Sequence, residues 1–283
     1  MPLLEDDRRG YETRQQHVTP HIGTMAKPAV LTREELDSRT APQPNYDYDT
    51  EVLEVVERLR QTALSDDKKM MIEAFDNKLT VAVSVIGAVA GTLMLGYEQT
   101  LNFALALTVG DYDATLLAWK EKVAHDLVRP TTWLQEQLGE VEVTTYAGPY
   151  NGVQTIKGKN FESYVRVMPH SEYVSGSACI CQALMELTDR WVELHGGVDP
   201  ADLLIPLPPM PKGSSRTEPG VTPAQDITKV LHGMQELRDI CGESRLDGGM
   251  HFTKSVTASY ELCSGVGVAA SDYAYALADG GNF

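Results

Sequence analysis

The chain has 283 residues and a mass of 31.1 kDa, which allows one large domain or two small ones, with one preferred, and ample material for a core. Its formal charge of -16 and pI near 4.8 argue against nucleic acid or an anionic membrane as a main partner, because both select clustered basic surface. An acidic, soluble protein is expected, in which any convergence of lysine and arginine forms a local positive well.

Residues 1–49 mix proline, charge and polar side chains with little apolar periodicity and read as an extended arm. The opening MPLLEDDRRGYE lacks the basic start and apolar centre of a secretory leader, so a cytoplasmic location is the default expectation. His17 and His21 are spaced for metal ligation on a helix, but Pro20 lies between them and a surface loop is expected. Residues 50–283 are expected to form the folded domain.

Within it, Val52, Val55, Val56, Leu59 and Ala63 mark one face of an amphipathic helix over residues 51–64. Ser65 caps a second helix, with Asp66 and Asp67 in the first turn where acids suit the helix dipole. The uncharged stretch 79–95 approaches the ~20 residues that span a bilayer. Its Ser84, Gly87, Gly91 and Thr92, the lack of basic flanks and the lack of a second such stretch point instead to a buried central helix. Asp111 and Asp113 are natural caps for the next helix, which runs to about residue 128. Lys122 and Arg129, seven apart, then lie two turns apart on one face, and Pro130 ends the helix beside the guanidinium.

Turn signals at Gly148-Pro149 and Asn151-Gly152 within β-branched alternation suggest a small hairpin. Residues 200–223 are dense in proline and read as a stiff loop. Thr222-Pro223-Ala224-Gln225 reads as a capping box opening a helix along Ile227, Val230, Leu231, Met234, Leu237 and Cys241, stopped by Gly242. The Gly248-Gly249 turn delivers His251 to the head of a last helix through Val256, Tyr260 and Cys263. Cys179, Cys181, Cys241 and Cys263 fit neither a zinc pattern nor a dense disulfide framework and are expected as small buried side chains or incidental thiols. The expected fold is all-α, a bundle of about six helices with an anion site in loops at one end.

The stretch 168–180, MPHSEYVSGSACI, organises the site. Ile180, Leu184, Leu187 and Trp191 define a buried helical stripe that starts near Ser177. Free N–H groups of its first turn, with a glycine and two serine hydroxyls, suit a tetrahedral oxyanion; alone, the same residues also make an ordinary helix cap. Two further motifs add to it: Lys122 with Arg129-Pro130 seven residues on, and Ser244-Arg245 with His251 six beyond the arginine. In order and spacing the three resemble the vanadium-dependent haloperoxidases, bromoperoxidase-like, of the type-2 phosphatidic acid phosphatase superfamily. The resemblance covers residues 119–263, about half the chain.

That resemblance implies a helical bundle holding vanadate, with phosphate or sulfate able to take the same place. His251 matches the ligand to vanadium, Lys122, Arg129 and Arg245 match the cations that neutralise the anion, and Ser175 and the Gly176 amide match its hydrogen-bond donors. The implied partners are hydrogen peroxide, a halide and an organic acceptor, and a homo-oligomer is open. Two departures stand out. Ser177 occupies the position of a family histidine that exchanges protons, and Ser255 that of an aspartate that often orients the ligand histidine. Serine does not titrate near neutral pH, and His170, seven residues before Ser177, matches a second active-site histidine of algal bromoperoxidases, which leans the expectation towards bromide. Two alternatives remain: a phosphatase in which His251 forms a phosphohistidine, and a non-catalytic or diverted anion-binding homologue. Known haloperoxidases are generally longer, with two bundles, and this chain corresponds mainly to the site-bearing one.

Overall fold

The computed structural model describes residues 4–7, 11–14 and 17–278. Part of the arm, and half of the opening segment in which no leader was read, lie outside these residues. Strands β1 (Leu4–Asp7) and β2 (Tyr11–Arg14) pair antiparallel. Two short helices follow, α1 (Ile22–Met25) and α2 (Arg33–Ser38), then α3 (Tyr48–Ala63) and α4 (Asp66–Asp76). α3 buries the predicted Val52, Val55, Val56, Leu59 and Ala63, and Ser65 caps α4 by accepting from the backbone N–H of Lys68 at 3.3 Å.

Next comes α5 (Lys78–Thr92), which is not the buried central helix expected. Only Val81, Val85, Ala88 and Val89 are buried, while Leu79 is 72% and Val83 60% exposed. Because every face of this segment is apolar or small, hydropathy could not say which side meets the core. No single helix among the described residues is long and apolar enough to cross a membrane; α4 and α5 pass that test only as a pair, bent by 89°.

Helix α6 (Tyr97–His125) is one unbroken run of 29 residues. Asp111 and Asp113 therefore lie mid-helix and cap nothing. Asp113 is buried and instead accepts the backbone N–H groups of Ala29, Val30 and Leu31 at 2.7, 2.9 and 2.9 Å. Glu121 accepts from Ala41 N–H at 2.8 Å, and the Trp119 indole N–H donates to the Val18 carbonyl at 2.9 Å. The arm is thus stitched along α6 by groups whose burial makes those bonds obligatory.

α6 ends at His125, short of residue 128, because Asp126 turns into the left-handed region at φ 44. Arg129 is then the N-cap of α7 (Pro130–Gln137), with Pro130 at its first position, so Lys122 and Arg129 do not share a helical face. The predicted hairpin forms as β3 (Glu142–Tyr146) and β4 (Val153–Lys157), from Glu142 opposite Lys157 to Tyr146 opposite Val153.

The central element is α8 (Gly176–His195), packed by α6 and by three later helices, α9 (Gly233–Asp247), α10 (Thr253–Cys263) and α11 (Val266–Ala278). Trp191 of α8 lies between Phe103 and Tyr275, each ring 5.3 Å away. Backbones close up at Gly267, where a Cβ would lie 2.1 Å from the Ala183 carbonyl oxygen, so only glycine lets α11 approach α8 this closely. Among the described residues there are eleven α-helices, nine of them eight residues or longer, against the six expected.

The capping box at Thr222 opens no helix. Met210 bridges Ile227, and β5 (Leu204–Pro206) pairs antiparallel with β6 (Val230–His232), so α9 starts at Gly233 and continues through Gly242 to Asp247. All four cysteines are paired, Cys179 with Cys263 and Cys181 with Cys241, at Cα separations of 5.3 and 6.5 Å. The expectation of incidental thiols is overturned by tertiary proximity, which sequence spacing does not encode.

Candidate active site

At the N-terminus of α8, Ser175 is the N-cap and its side chain accepts from Ala178 N–H at 3.4 Å. A Cβ on Gly176 would lie 3.7 Å from Lys122 Cε and 3.2 Å from the Trp119 ring, so the end of α6 abuts the first turn of α8. Ser177 follows in that turn, half-buried. Lys122 is fully buried and its Nζ donates to the carbonyls of Ser171 and Glu172 at 2.6 and 3.3 Å. Burial first, then Arg129, pushes its pKa well below the ordinary lysine value, with Glu172 opposing.

Arg129, also buried, is the hub of the site. Its Nη1 donates to the Met250 carbonyl at 2.8 Å and to His251 Nε2 at 3.0 Å. Its Nη2 donates to His170 Nδ1 at 3.0 Å, and its Nε to the His170 carbonyl at 3.3 Å. A guanidinium can only donate, so His251 Nε2 keeps a lone pair, while His170 Nδ1 stands between Arg129 and the Ser171 carbonyl, 3.2 Å away. Burial pushes Arg129 down to about 10, against the Glu172 charge. Arg245 comes from the last turn of α9 and donates to Ser244 Oγ at 3.1 Å and to the Ile72 carbonyl at 3.0 Å. It contacts the Met250 sulfur at 3.8 Å and is likewise pushed down to about 10 by burial.

His251 follows Gly249, whose φ of 74 makes the turn a glycine position, and stands two residues before α10. Its Nδ1 is 2.9 Å from Glu172 Oε1 and 3.2 Å from Ser255 Oγ. Burial, followed by Arg129 and Lys122, holds its pKa well below the usual histidine value. His170 is held low by the same causes, burial first, then Lys122 and Arg129. Both imidazoles are neutral at neutral pH. His170 also packs on Trp119 at 4.9 Å and on His17 at 6.2 Å between ring centroids. His17 is therefore not a free surface loop residue: it is half-buried against the site.

The structure thus brings Arg129, His170 and His251 into one hydrogen-bonded group, with Lys122 beside it on the Ser171 and Glu172 carbonyls, Arg245 sharing Met250 with Arg129, and Ser175 and Gly176 beside Lys122. Sequence reasoning missed Glu172, whose one available signal was its isolation as the single charged residue between Arg166 and Glu186. It also missed Tyr46, which donates to Glu172 Oε2 at 2.9 Å.

Residues 102–280 match the family described as the VCPO second helical-bundle domain. The chain belongs to this family. Its VCPO-type bundle superposes on a holo-type bacterial vanadium-dependent chloroperoxidase with a TM-score of 0.85 at 24% identity, covering 94% of this chain and 56% of that one. The apo-type bacterial chloroperoxidase gives 0.83 at 24% identity, with 94% and 57% covered. A structure described as the first bacterial vanadium-dependent iodoperoxidase gives 0.68 at 15%, with 96% and 60% covered. The VCPO-type chain therefore spans little more than half the length of these structures. No curated protein matches the sequence.

The residues present fit a vanadate group. Arg129 faces an imidazole nitrogen that keeps its lone pair, two further buried cations, Lys122 and Arg245, lie in the same group, Arg245 paired at 3.7 Å with Asp76, and Glu172 is the one fully buried carboxylate within it. Burial first, and then the neighbouring positive charge, depresses Lys122, His170 and His251, and a tetrahedral oxyanion is the natural complement of that charge.

Proposed function

We propose that this chain is a vanadate-dependent haloperoxidase that oxidises bromide with hydrogen peroxide to hypobromous acid, which halogenates an organic acceptor. The observation that carries the reading is the His251 lone pair on Nε2, facing Arg129 at 3.0 Å within a buried cluster of cations. His251 would ligate the vanadium through that nitrogen. Arg129, Lys122 and Arg245 would neutralise the oxyanion, and Ser175 and the Gly176 amide would donate to its oxygens at the positive end of α8. Bound vanadate supplies the Lewis-acidic centre at which peroxide becomes electrophilic towards halide.

The residues supply the rest. Lys122, locked between the Ser171 and Glu172 carbonyls, would direct its remaining N–H at oxygens in the site and draw charge from them. The net reaction, halide plus hydrogen peroxide plus a proton giving hypohalous acid and water, consumes one proton per turnover. Ser177 cannot provide it near neutral pH. The proton comes from solvent, and His170, its ring fixed by Arg129 and Trp119, is the residue we assign to relay it to the site. The histidine at this position also underlies the choice of bromide over chloride.

The test is peroxide- and bromide-dependent bromination of an activated dione by purified protein, with and without added vanadate. Vanadate-dependent turnover lost in His251→Ala and weakened in His170→Ala supports the reading. Vanadate binding without turnover from mildly acidic to neutral pH sinks it, and points to the non-catalytic anion-binding homologue.

One observation favours a second reading. Glu172 against His251 Nδ1 supplies the oriented nucleophile that a phosphohistidine mechanism needs, although Ser177 leaves that mechanism without its usual acid for the leaving group. Hydrolysis of a phosphate monoester, blocked by vanadate, would select it. For location we propose an oxidising compartment rather than the cytoplasm, because the two disulfides are of a kind that cytosolic reductants seldom allow to persist.

A further inference from the structure

We propose that Glu172 is the positioning residue for His251, orienting it through Nδ1 from the loop before α8, and that Tyr46 of the N-terminal arm holds the Glu172 carboxylate in place. The proposal rests on the reading of His251 as the vanadium ligand only for its consequence on binding; the orientation itself stands on the geometry.

Glu172 is fully buried, as is Ser255. Oε1 of Glu172 lies 2.9 Å from His251 Nδ1 and accepts the Phe252 backbone N–H at 3.1 Å. Oε2 accepts the Tyr46 hydroxyl at 2.9 Å. Both oxygens are thus committed as acceptors, which makes Nδ1 of His251 the donor and leaves the lone pair on Nε2, where Arg129 can itself only donate. The two ends of the imidazole give the same tautomer independently.

Ser255 is close to the same nitrogen, at 3.2 Å, but its hydroxyl is also within 3.3 Å of the Glu172 carbonyl. A hydroxyl donating to that carbonyl offers Nδ1 only a neutral, longer contact. The charged partner of His251 is therefore a residue 79 positions upstream rather than one on its own helix. Tyr46 completes the chain: its ring sits 5.0 Å from Phe252 and edge-on to Tyr173 at 6.4 Å, so the arm is fastened to both neighbours of the Glu172–His251 pair. Partners of this kind fix ring orientation and raise ligand basicity, and their loss typically costs about 10–100-fold in metal affinity.

A mere counter-charge makes the opposite prediction. If Glu172 only balanced Lys122 and Arg129, its removal would make the pocket more positive and tighten every anion alike. Positioning instead acts on the bond to the imidazole, so it distinguishes vanadate from sulfate, which forms no such bond.

The experiment has two readouts on the whole chain. The first is the 15N NMR assignment of the protonated His251 nitrogen without any anion; the second is the ratio of vanadate to sulfate affinity by titration calorimetry. We expect the proton on Nδ1 in the wild type and loss of that preference in Glu172→Met. The vanadate-to-sulfate ratio should fall about 10–100-fold in that variant and a few-fold in Tyr46→Phe, with much of the loss restored by adding Ser255→Asp, whose carboxylate reaches the same nitrogen. A wild-type proton on Nε2, or an unchanged ratio in Glu172→Met with a native circular dichroism spectrum, overturns the proposal. If Glu172→Met does not fold, the wild-type assignment and the Tyr46→Phe ratio decide. If the wild type binds no vanadate, the haloperoxidase reading falls and the tautomer alone decides whether Glu172 orients His251.

Discussion

Nη1 of Arg129 lies 3.0 Å from Nε2 of His251, so a permanently charged donor caps the one imidazole nitrogen that keeps a lone pair. Under the proposed function, vanadate held at His251 would take that place and would offer Arg129 its oxygens in return. Arg129→Ala is therefore expected to weaken vanadate binding roughly 100-fold, because truncating one partner of a buried charged pair costs ~2–5 kcal/mol. Arg129→Lys should fall between, since a single ammonium cannot span Met250, His170 and His251 together. Titration calorimetry checks both; affinity unchanged in Arg129→Ala would remove Arg129 from the anion site.

The same charges set a pH dependence of stability. His170 and His251 are held below the ordinary histidine value of 6.5 in the fold, by burial first and then by Arg129 and Lys122. In the unfolded chain each takes up a proton below about pH 6.5. The unfolded state therefore binds more protons in mild acid, so stability is complete above about pH 7 and declines as pH falls, with each histidine contributing a slope of up to ~1.4 kcal/mol per pH unit. Denaturant titrations without vanadate at about pH 7.5 and about pH 5.5 measure it. His170→Gln should remove about half of the histidine part, and a slope identical to wild type would contradict the assignment.

The disulfides close loops of 84 and 60 residues. In the chain-entropy account each stabilises by ~4–5 kcal/mol, so a reductant that opens both should lower the melting temperature by many degrees. Thiol titration in denaturant supplies the direct check: no reactive thiol before reduction and four after. Two or more thiols in the unreduced protein would show that a pair is not formed.

Asp113 is expected to be the strongest anchor of the arm. Asp113→Ala strands three backbone N–H groups at residues 29–31, and each unmatched donor costs ~1–3 kcal/mol where water cannot reach it. Loss of about 2–4 kcal/mol overall and faster protease cleavage within residues 17–47 are the expected outcomes, with Asp113→Asn milder because it keeps one acceptor. Unchanged cleavage would mean that the arm is held elsewhere.

What could be read from the sequence was local. Ser65 caps a helix where its spacing to apolar residues predicts, the 142–157 hairpin follows its turn residues, and a helix does begin beside Ser177, with Ser175 as its cap. What escaped depends on contacts between distant segments. The 227–241 periodicity reads as one helix, but pairing of Leu204–Pro206 with Val230–His232 takes its first part into a strand. The cysteine pairs and the Glu172–His251 contact each join residues 60 or more positions apart. Asp126 ends α6 by a left-handed residue that no glycine announces.

The stitching of the arm also sets an order of assembly. Leu31, Ala41 and Tyr46 meet Asp113, Glu121 and Glu172, which lie 82, 80 and 126 residues further along the chain. As the chain leaves the ribosome the arm emerges before any of these landing points exists. It must wait, unattached, while the bundle forms beneath it, and Tyr46 can reach its carboxylate only after the loop before α8 has been made. A segment made before its landing points thus takes its place only after them, and its closure over Glu172 follows the formation of the loop it covers.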